Sequence, residues 1–148
     1  MSKNSEELVL VDIKNCHRKE LDWACAMWVE PVLDPERCKK KGHKVVYSDY
    51  RGKGGTLQVF VAEKRLSYDF SVGPHRAVEY AKHFGLELHM NNGITTAVFD
   101  GETVFVGASF GEVVARAALY ACVRHRGTVG SVLVPEGLHL ICEQPKNG

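Results

Sequence analysis

The stretch Ile94–Val106, ITTAVFDGETVFV, indicates strand pairing more clearly than any other part of this chain. Two runs rich in β-branched residues, Ile94–Phe99 and Glu102–Val106, flank the pair Asp100-Gly101. An Asp-Gly pair favours a type I′ turn, so this stretch predicts a β-hairpin. Leu86–Met90, just before it, alternates apolar and polar residues and predicts a third strand of the same meander.

Helix signals lie on both sides of this meander. Downstream, Ser109-Phe110-Gly111-Glu112 has the form of a capping box, and the helix that it opens is predicted to run to about His125. Upstream, Pro74 fits the first turn of a helix that ends near Phe84, where Gly85 supplies a left-handed stop. In the first part of the chain we predict a strand at Leu8–Ile13, a helix at Arg18–Val29 that Pro31 and Pro35 stop, and a solvated loop at Asp34–Gly42. Two strands follow, at His43–Tyr47 and Thr56–Ala62. The tail after Val132 contains a turn at Pro135-Glu136-Gly137 and has room for one short strand.

Strands that are adjacent in sequence, together with separate helices, favour an α+β fold. We expect a mainly antiparallel sheet of about five to six strands, with three helices packed mostly on one side. The length of 148 residues fits a single domain, 1–148, in which residues 1–7 and 143–148 are predicted to be flexible ends.

The composition excludes several classes of protein. Hydrophobic residues make up 45% and charged residues 25%, which allows a core and argues against a disordered chain. A net charge of +1 gives no support to general nucleic-acid binding. No apolar run is long enough to span a membrane, and the polar segment Met1–Glu7 does not resemble a secretory signal, so we expect a cytoplasmic protein.

The cysteine and histidine patterns predict neither a metal nor a cofactor. Five cysteines without a CxxC pair indicate free, mostly buried thiols. The alternatives are a catalytic thiol or a zinc site, whose candidate ligands are Cys16, His17, Cys25, Cys38 and His43. His75, Glu79 and His83 share one stripe of a predicted helix, which is a candidate metal or acid–base face and, more simply, the solvated side of that helix.

Two segments combine positive charge with backbone N–H groups that favour an anion. Arg51 and Lys53 lie in a turn with Gly52, Gly54 and Gly55; a strand follows it, so the turn is not a P-loop, and a mobile hairpin tip is the alternative. The predicted helix start at Gly73–Arg76 offers free N–H groups beside His75 and Arg76.

Three aromatic residues are candidates to stack on a ligand ring: Trp23, Tyr47 and Tyr68. Trp23 falls opposite the apolar face of the first helix, so its ring is expected off the core, unless the sheet or the tail covers it. Asp69 either caps the turn before Pro74 or forms a hydrogen bond with a ribose or a base.

The last predicted helix is apolar on two sides, and this bears on assembly. One row, Val114, Ala117, Ala118 and Ala121, faces the core, while a second row contains Ala115, Leu119 and Val123. Such a helix is sandwiched between layers or packed against another subunit, and the second row predicts a homo-oligomer, most simply a dimer. No nucleophile–base motif can be found in the sequence, so we do not expect an enzyme.

Four short motifs, in one order from Asp12 to Leu138, resemble the NinX-like family of small phage proteins of unknown function. Leu21-Asp22-Trp23-Ala24-Cys25-Ala26 is similar to its "LDWAVA" opening. Three further segments occupy the places of its "YSTDW…GGPII", "GPTPLIAAMR" and "VPEEL" motifs: Tyr68-Asp69 with Gly73-Pro74, Gly107–Arg116, and Val134–Leu138. The resemblance implies an accessory phage protein in the infected bacterial cytoplasm, of a kind that interferes with a host factor or defence pathway without catalysis.

These observations together predict a protein that binds and sequesters a small anionic, nucleotide-derived ligand to counter host defence. Its predicted contacts are Arg76 with Arg51 or Lys53 on phosphate, and the candidate aromatic rings on the base. The alternatives are a protein–protein inhibitor of a host factor and a nucleotide-cleaving enzyme.

Overall fold

Antiparallel pairing joins the strands of the computed structural model, which describes residues 7–41, 44–49, 57–61, 66–67, 74–124 and 130–143. The described strands are β1 (Leu8–Asp12), β2 (Val45–Asp49), β3 (Leu57–Val61), β4 (Leu66–Ser67), β5 (Glu87–Asn91), β6 (Ile94–Phe99), β7 (Glu102–Gly107) and β8 (Ser131–Pro135). They form three sheets, ordered β1-β8, β2-β3-β4 and β5-β6-β7. The predicted α+β class with antiparallel strands is confirmed, although the strands are divided among three small sheets and do not form one.

The meander β5-β6-β7 owes its shape to two tight turns. Asp100 and Gly101 have φ of 58° and 81°, the left-handed pair of a type I′ turn, which confirms the predicted hairpin. Asn92 and Gly93, with φ of 53° and 78°, form the same kind of turn between β5 and β6. A register shift between Ala97 and Val98 marks an irregularity in the β6–β7 ladder.

Six α-helical segments lie between and after these strands in the described residues. They are α1 (Arg18–Ala24), α2 (Glu30–Leu33), α3 (Pro35–Lys41), α4 (Pro74–Phe84), α5 (Phe110–Arg124) and α6 (Glu136–Glu143). A 3₁₀ turn at Ile13–Asn15 precedes α1, and a π turn at Cys25–Val29 connects α1 to α2. None of the described helices is both long enough and apolar enough to cross a membrane.

The first helix does not stop at Pro31, so that prediction was wrong. In the π turn the backbone N–H of Glu30 donates to the carbonyl of Cys25, five residues back. Pro31 therefore falls in the first turn of a new α segment, where its missing N–H leaves no bond unmade. The predicted solvated loop at Asp34–Gly42 is corrected in the same way, because Pro35 opens α3 and the carbonyl of Asp34 accepts the N–H of Cys38.

A two-stranded ribbon, β1 with β8, brings the two ends of the described chain together. Leu8 pairs with Pro135 and Asp12 with Ser131. The tail continues after β8 into α6, where the sequence predicts only a turn at Pro135-Glu136-Gly137. The Glu136 N–H donates to the carbonyl of Glu7 at 2.9 Å, so the start of α6 is tied to the start of β1.

Helix α5 forms the centre of the main core. It packs against α1, the π turn, α4 and the meander. Ala115 and Leu119 are fully buried and Val123 nearly so, which means that the second apolar row is covered within this chain. The interpretation of this row as a subunit interface was therefore wrong; of the two readings of a doubly apolar helix, packing between layers is the observed one.

Candidate ligand-binding cleft

The structure describes only some of the residues that were predicted to contact a ligand near the two cationic segments. Arg51, Lys53, Tyr68 and Asp69 lie outside the described residues. His75 and Arg76 occupy the first turn of α4, which begins at Pro74 as predicted, but only their backbone is described. The second anion-binding segment is therefore confirmed as a helix start, and its ligand contacts stay a prediction.

Two of the predicted stacking residues belong to the protein interior. Trp23 is only 5% exposed, and its ring meets that of Trp28 edge to face, with centroids 6.3 Å apart. Of the two alternatives for Trp23, the covered position is the observed one and the exposed stacking ring is not, because α1 is covered on several sides by α5, α6 and strands β3 and β8. Tyr47 is half-buried and packs against the main core.

A pair of carboxylate–imidazole contacts holds α6 against the start of α1. The fully buried Glu20 accepts the backbone N–H of His17 with Oε1 at 2.8 Å, and its Oε2 lies 2.6 Å from Nδ1 of His139. His17 Nε2 in turn lies 2.8 Å from Oε2 of Glu143. This hydrogen bond lowers the pKa of the Glu143 carboxyl. Helix α6 thus supplies His139 and Glu143 to the joint, and α1 with the residue before it supplies Glu20 and His17.

The cysteines are free thiols, and four of the five are buried, as predicted. Burial, reinforced by the Glu20 carboxylate, raises the pKa of the Cys16 thiol to about 12. Burial likewise raises the pKa of Cys25, whose Sγ lies 3.7 Å from the carbonyl of Ala115. Protonated, enclosed thiols of this kind behave as small apolar side chains. In the part of the chain that the structure describes, no group of three or more His, Cys, Asp or Glu side chains could hold a metal ion.

Arg116 on α5 fixes the 3₁₀ turn against this helix. Its Nε donates to the carbonyl of Ile13 at 3.3 Å and its Nη2 to the carbonyl of Cys16 at 2.9 Å, while Nη1 lies 3.4 Å from Oε1 of Glu112. A guanidinium presents five N–H donors in a rigid plane, so one side chain meets these three acceptors at once. Arg116 therefore sets the position of the turn that carries Lys14.

A cleft of about 250 Å³ lies between this turn, the end of β7 and the first two turns of α5. Its lining residues are Lys14, Phe105, Val106, Gly107, Ala108, Ser109, Glu112, Val113 and Arg116. Along α5 the lining follows Glu112 and Arg116, which lie four residues apart on one face. Gly107 lets the strand approach the helix closely, because a Cβ there would meet Cγ2 of Val113 at 3.1 Å.

The electrostatics of this cleft favour a negative ligand. Glu112 is paired with Arg116, whereas the exposed Lys14 has no ion-pair partner among the described residues, which leaves the cleft one uncompensated positive charge. Helix α5 begins at Phe110, so the positive end of its dipole lies at the end of the helix that borders the cleft. Ser109 caps this turn, its Oγ accepting the N–H of Glu112 at 3.4 Å.

The sequence reasoning missed Lys14 and Arg116, although a signal for Arg116 exists. Gly107–Arg116 was singled out as one motif of the resemblance, and it supplies most of the cleft. Glu112 and Arg116 are also polar residues at four-residue spacing on a helix that is otherwise apolar on two sides. The position of Lys14 beside them depends on contacts across about a hundred positions of the chain and leaves no local trace.

Comparison with known proteins finds no match among family models, curated proteins or solved structures.

Proposed function

We propose that the protein binds and sequesters a small anionic ligand in the cleft beside α5, without changing it chemically. The observation that carries the proposal is the convergence of Lys14, Arg116 and the first turn of α5 on one space of about 250 Å³. These groups come from two separate parts of the chain; the two basic side chains and the helix dipole favour negative charge, while the carboxylate of Glu112 is paired with Arg116.

The groups that would meet the anion differ in how far they are fixed. Arg116 is held by the carbonyls of Ile13 and Cys16, so its guanidinium is positioned before a ligand arrives. Lys14 is exposed, has a long flexible side chain and forms no ion pair with any of the described residues. The hydroxyl of Ser109 and the backbone of Gly107 and Ala108 complete the polar lining.

The resemblance to NinX-like proteins would place this binding in an infected bacterial cell, where removal of a nucleotide-derived signal would weaken host defence. The start of α4, with Arg76, stays a predicted second contact. Substitutions at Lys14 and at Arg76 therefore distinguish a site in the cleft from a site at the start of α4.

The test is titration calorimetry with a panel of cyclic nucleotides, NAD derivatives and inorganic phosphate. Lys14→Gln should weaken binding about tenfold to a hundredfold, since a charge-assisted hydrogen bond contributes roughly 1.5–3 kcal/mol. Lys39→Gln, a matched change at an exposed lysine on α3, should leave the affinity unchanged. Ligand recovered after heat denaturation should be intact.

Three results would contradict the proposal. Unchanged affinity in Lys14→Gln would move the site away from the cleft, and loss of binding in Arg76→Ala alone would move it to the start of α4. A cleaved product in the recovered ligand would favour the nucleotide-cleaving enzyme.

An exposed apolar face gives the protein–protein inhibitor a specific observation of its own. Leu8 and Leu10 on β1 and Leu133 on β8 lie on the outward face of the ribbon, and Leu10 is 60% exposed. If no member of the panel binds, and Leu10→Lys abolishes the biological effect of a protein that still folds, this second candidate replaces the first.

A further inference from the structure

A second cavity of about 320 Å³ adjoins the cleft beside α5. The second cavity is lined by Asp12, Lys14, Val104, Phe105, Tyr120 and Gly130. It shares Lys14 and Phe105 with the first cavity. Together they form one groove along α5, in which Glu112, Arg116 and Tyr120 follow at four-residue intervals. The groove therefore covers about 12 Å of helix, at 1.5 Å per residue.

The far end of this groove is aromatic and rigid. The ring of Tyr120 meets Phe105 and Phe99 edge to face, each at a centroid distance of 6.1 Å. Phe99 also lies under the guanidinium of Arg124, at 5.5 Å. These two contacts help to hold the half-buried Tyr120 ring in place, and aromatic rings such as Phe105 and Tyr120 favour contact with another planar ring.

The second cavity carries the carboxylate of Asp12 beside Lys14, which lines both cavities, so the charged groups of its lining balance, whereas those of the first cavity leave one positive charge. Asp12 lies on the rim of the second cavity, and its Oδ1 accepts the hydroxyl of Ser131 at 2.9 Å, which orients the carboxylate. An ionised carboxylate only accepts hydrogen bonds, so it repels phosphate and favours hydroxyl groups. A ligand matched to the whole groove is thus anionic at one end, and hydroxylated and planar at the other.

We infer that the ligand is a ribonucleotide that lies along α5, an inference that rests on the proposed function and names the ligand class of the same site. Its phosphate lies between Lys14 and the first turn of α5. Its base packs on Phe105 and Tyr120, and its ribose hydroxyls donate to Asp12.

The experiment compares inorganic phosphate, ribose 5-phosphate, the four ribonucleoside 5′-monophosphates and their 2′-deoxy forms by calorimetry. At least one ribonucleotide should bind about tenfold to a hundredfold more tightly than ribose 5-phosphate, the gain typical of stacking one base. Asp12→Asn keeps an oxygen for Ser131 and should remove the preference for the ribose over the deoxyribose form. Glu102→Gln, a neutralised exposed carboxylate outside the groove, should keep this preference.

The outcomes separate this inference from the proposed function. If phosphate and ribose 5-phosphate bind in a Lys14-dependent way but no nucleotide binds more tightly, the ribonucleotide inference is overturned and anion binding stands. If a nucleotide binds more tightly with equal affinity for its deoxy form, the contact with Asp12 is refuted. If neither phosphate nor any nucleotide binds, both proposals fail.

Discussion

Replacing Arg116 by lysine tests whether the cleft depends on a forked side chain or only on its charge. Lysine keeps the positive charge and can still reach one acceptor, but it cannot serve the carbonyls of Ile13 and Cys16 together. A hydrogen bond from a charged group contributes roughly 1.5–3 kcal/mol when it is sheltered from water. The Arg116 side chain is 20% exposed, so we expect a loss of about 2 kcal/mol of unfolding free energy.

The measurement is thermal and denaturant unfolding of Arg116→Lys beside Arg124→Lys. The control lies on the same helix, and its guanidinium is 43% exposed and 4.0 Å from the carboxylate of Asp100. At about 2–4 °C per kcal/mol for a chain of this size, Arg116→Lys should melt roughly 4–8 °C lower. Arg124→Lys should change stability by about 0.5 kcal/mol or less. Equal melting temperatures in the two variants would refute the role of Arg116 as the fixed point of the 3₁₀ turn.

Three further predictions concern other parts of the fold. The hydrogen bond from His17 lowers the pKa of Glu143 below its ordinary value of 4.5, so its contribution to stability is complete above that pH and is lost as the pH falls through the lowered folded-state pKa. Glu143→Gln should flatten the stability profile below pH 4.5, and an unaltered profile would contradict the assignment. In Gly101→Ala the new Cβ meets no atom within 4 Å, but the alanine must hold φ at 81°. We therefore expect the denaturant midpoint to report a loss of about 1–2 kcal/mol of unfolding free energy, and no loss would count against the type I′ turn. In a thiol-reagent assay on the native protein at pH 8, the half-buried Cys142 should react well before Cys16, whose raised pKa and burial keep it protonated, whereas a faster Cys16 would show that the burial is wrong.

The elements that the sequence predicted well are those whose cause is local. Asp100-Gly101 determines a turn by its own backbone preferences, and the range predicted for α4, Pro74 to about Phe84, agrees with its observed bounds. Ser109 opens the last long helix through a contact only three residues away. In these cases the stabilising interactions lie within one turn of the residues that give the signal.

The predictions that failed concern burial and contacts between distant parts of the chain. Trp23 lies outside the apolar stripe of an ideal helix, but neighbours on several sides of α1 place this position in the interior as well. Pro31 carries a strong stop signal, which the π turn before it cancels. The groove depends on Arg116 reaching the carbonyl of Cys16, a hundred positions earlier, and helical periodicity contains no information on such a contact.

The pairing of β1 with β8 has a consequence for the order in which the chain folds. Because Leu8 pairs with Pro135, strand β1 leaves the ribosome early but has no partner until nearly all of the described chain has been synthesised. At about 5–20 residues per second, this delay lasts roughly 6–25 s. During it, the inward-facing Val9 and Val11 are exposed together with a row of unpaired backbone groups, which is the kind of edge that invites association with other chains. The unpaired β1 is therefore most prone to associate with other chains during synthesis, and a circular permutant in which β8 and α6 are followed by β1 should shorten that period.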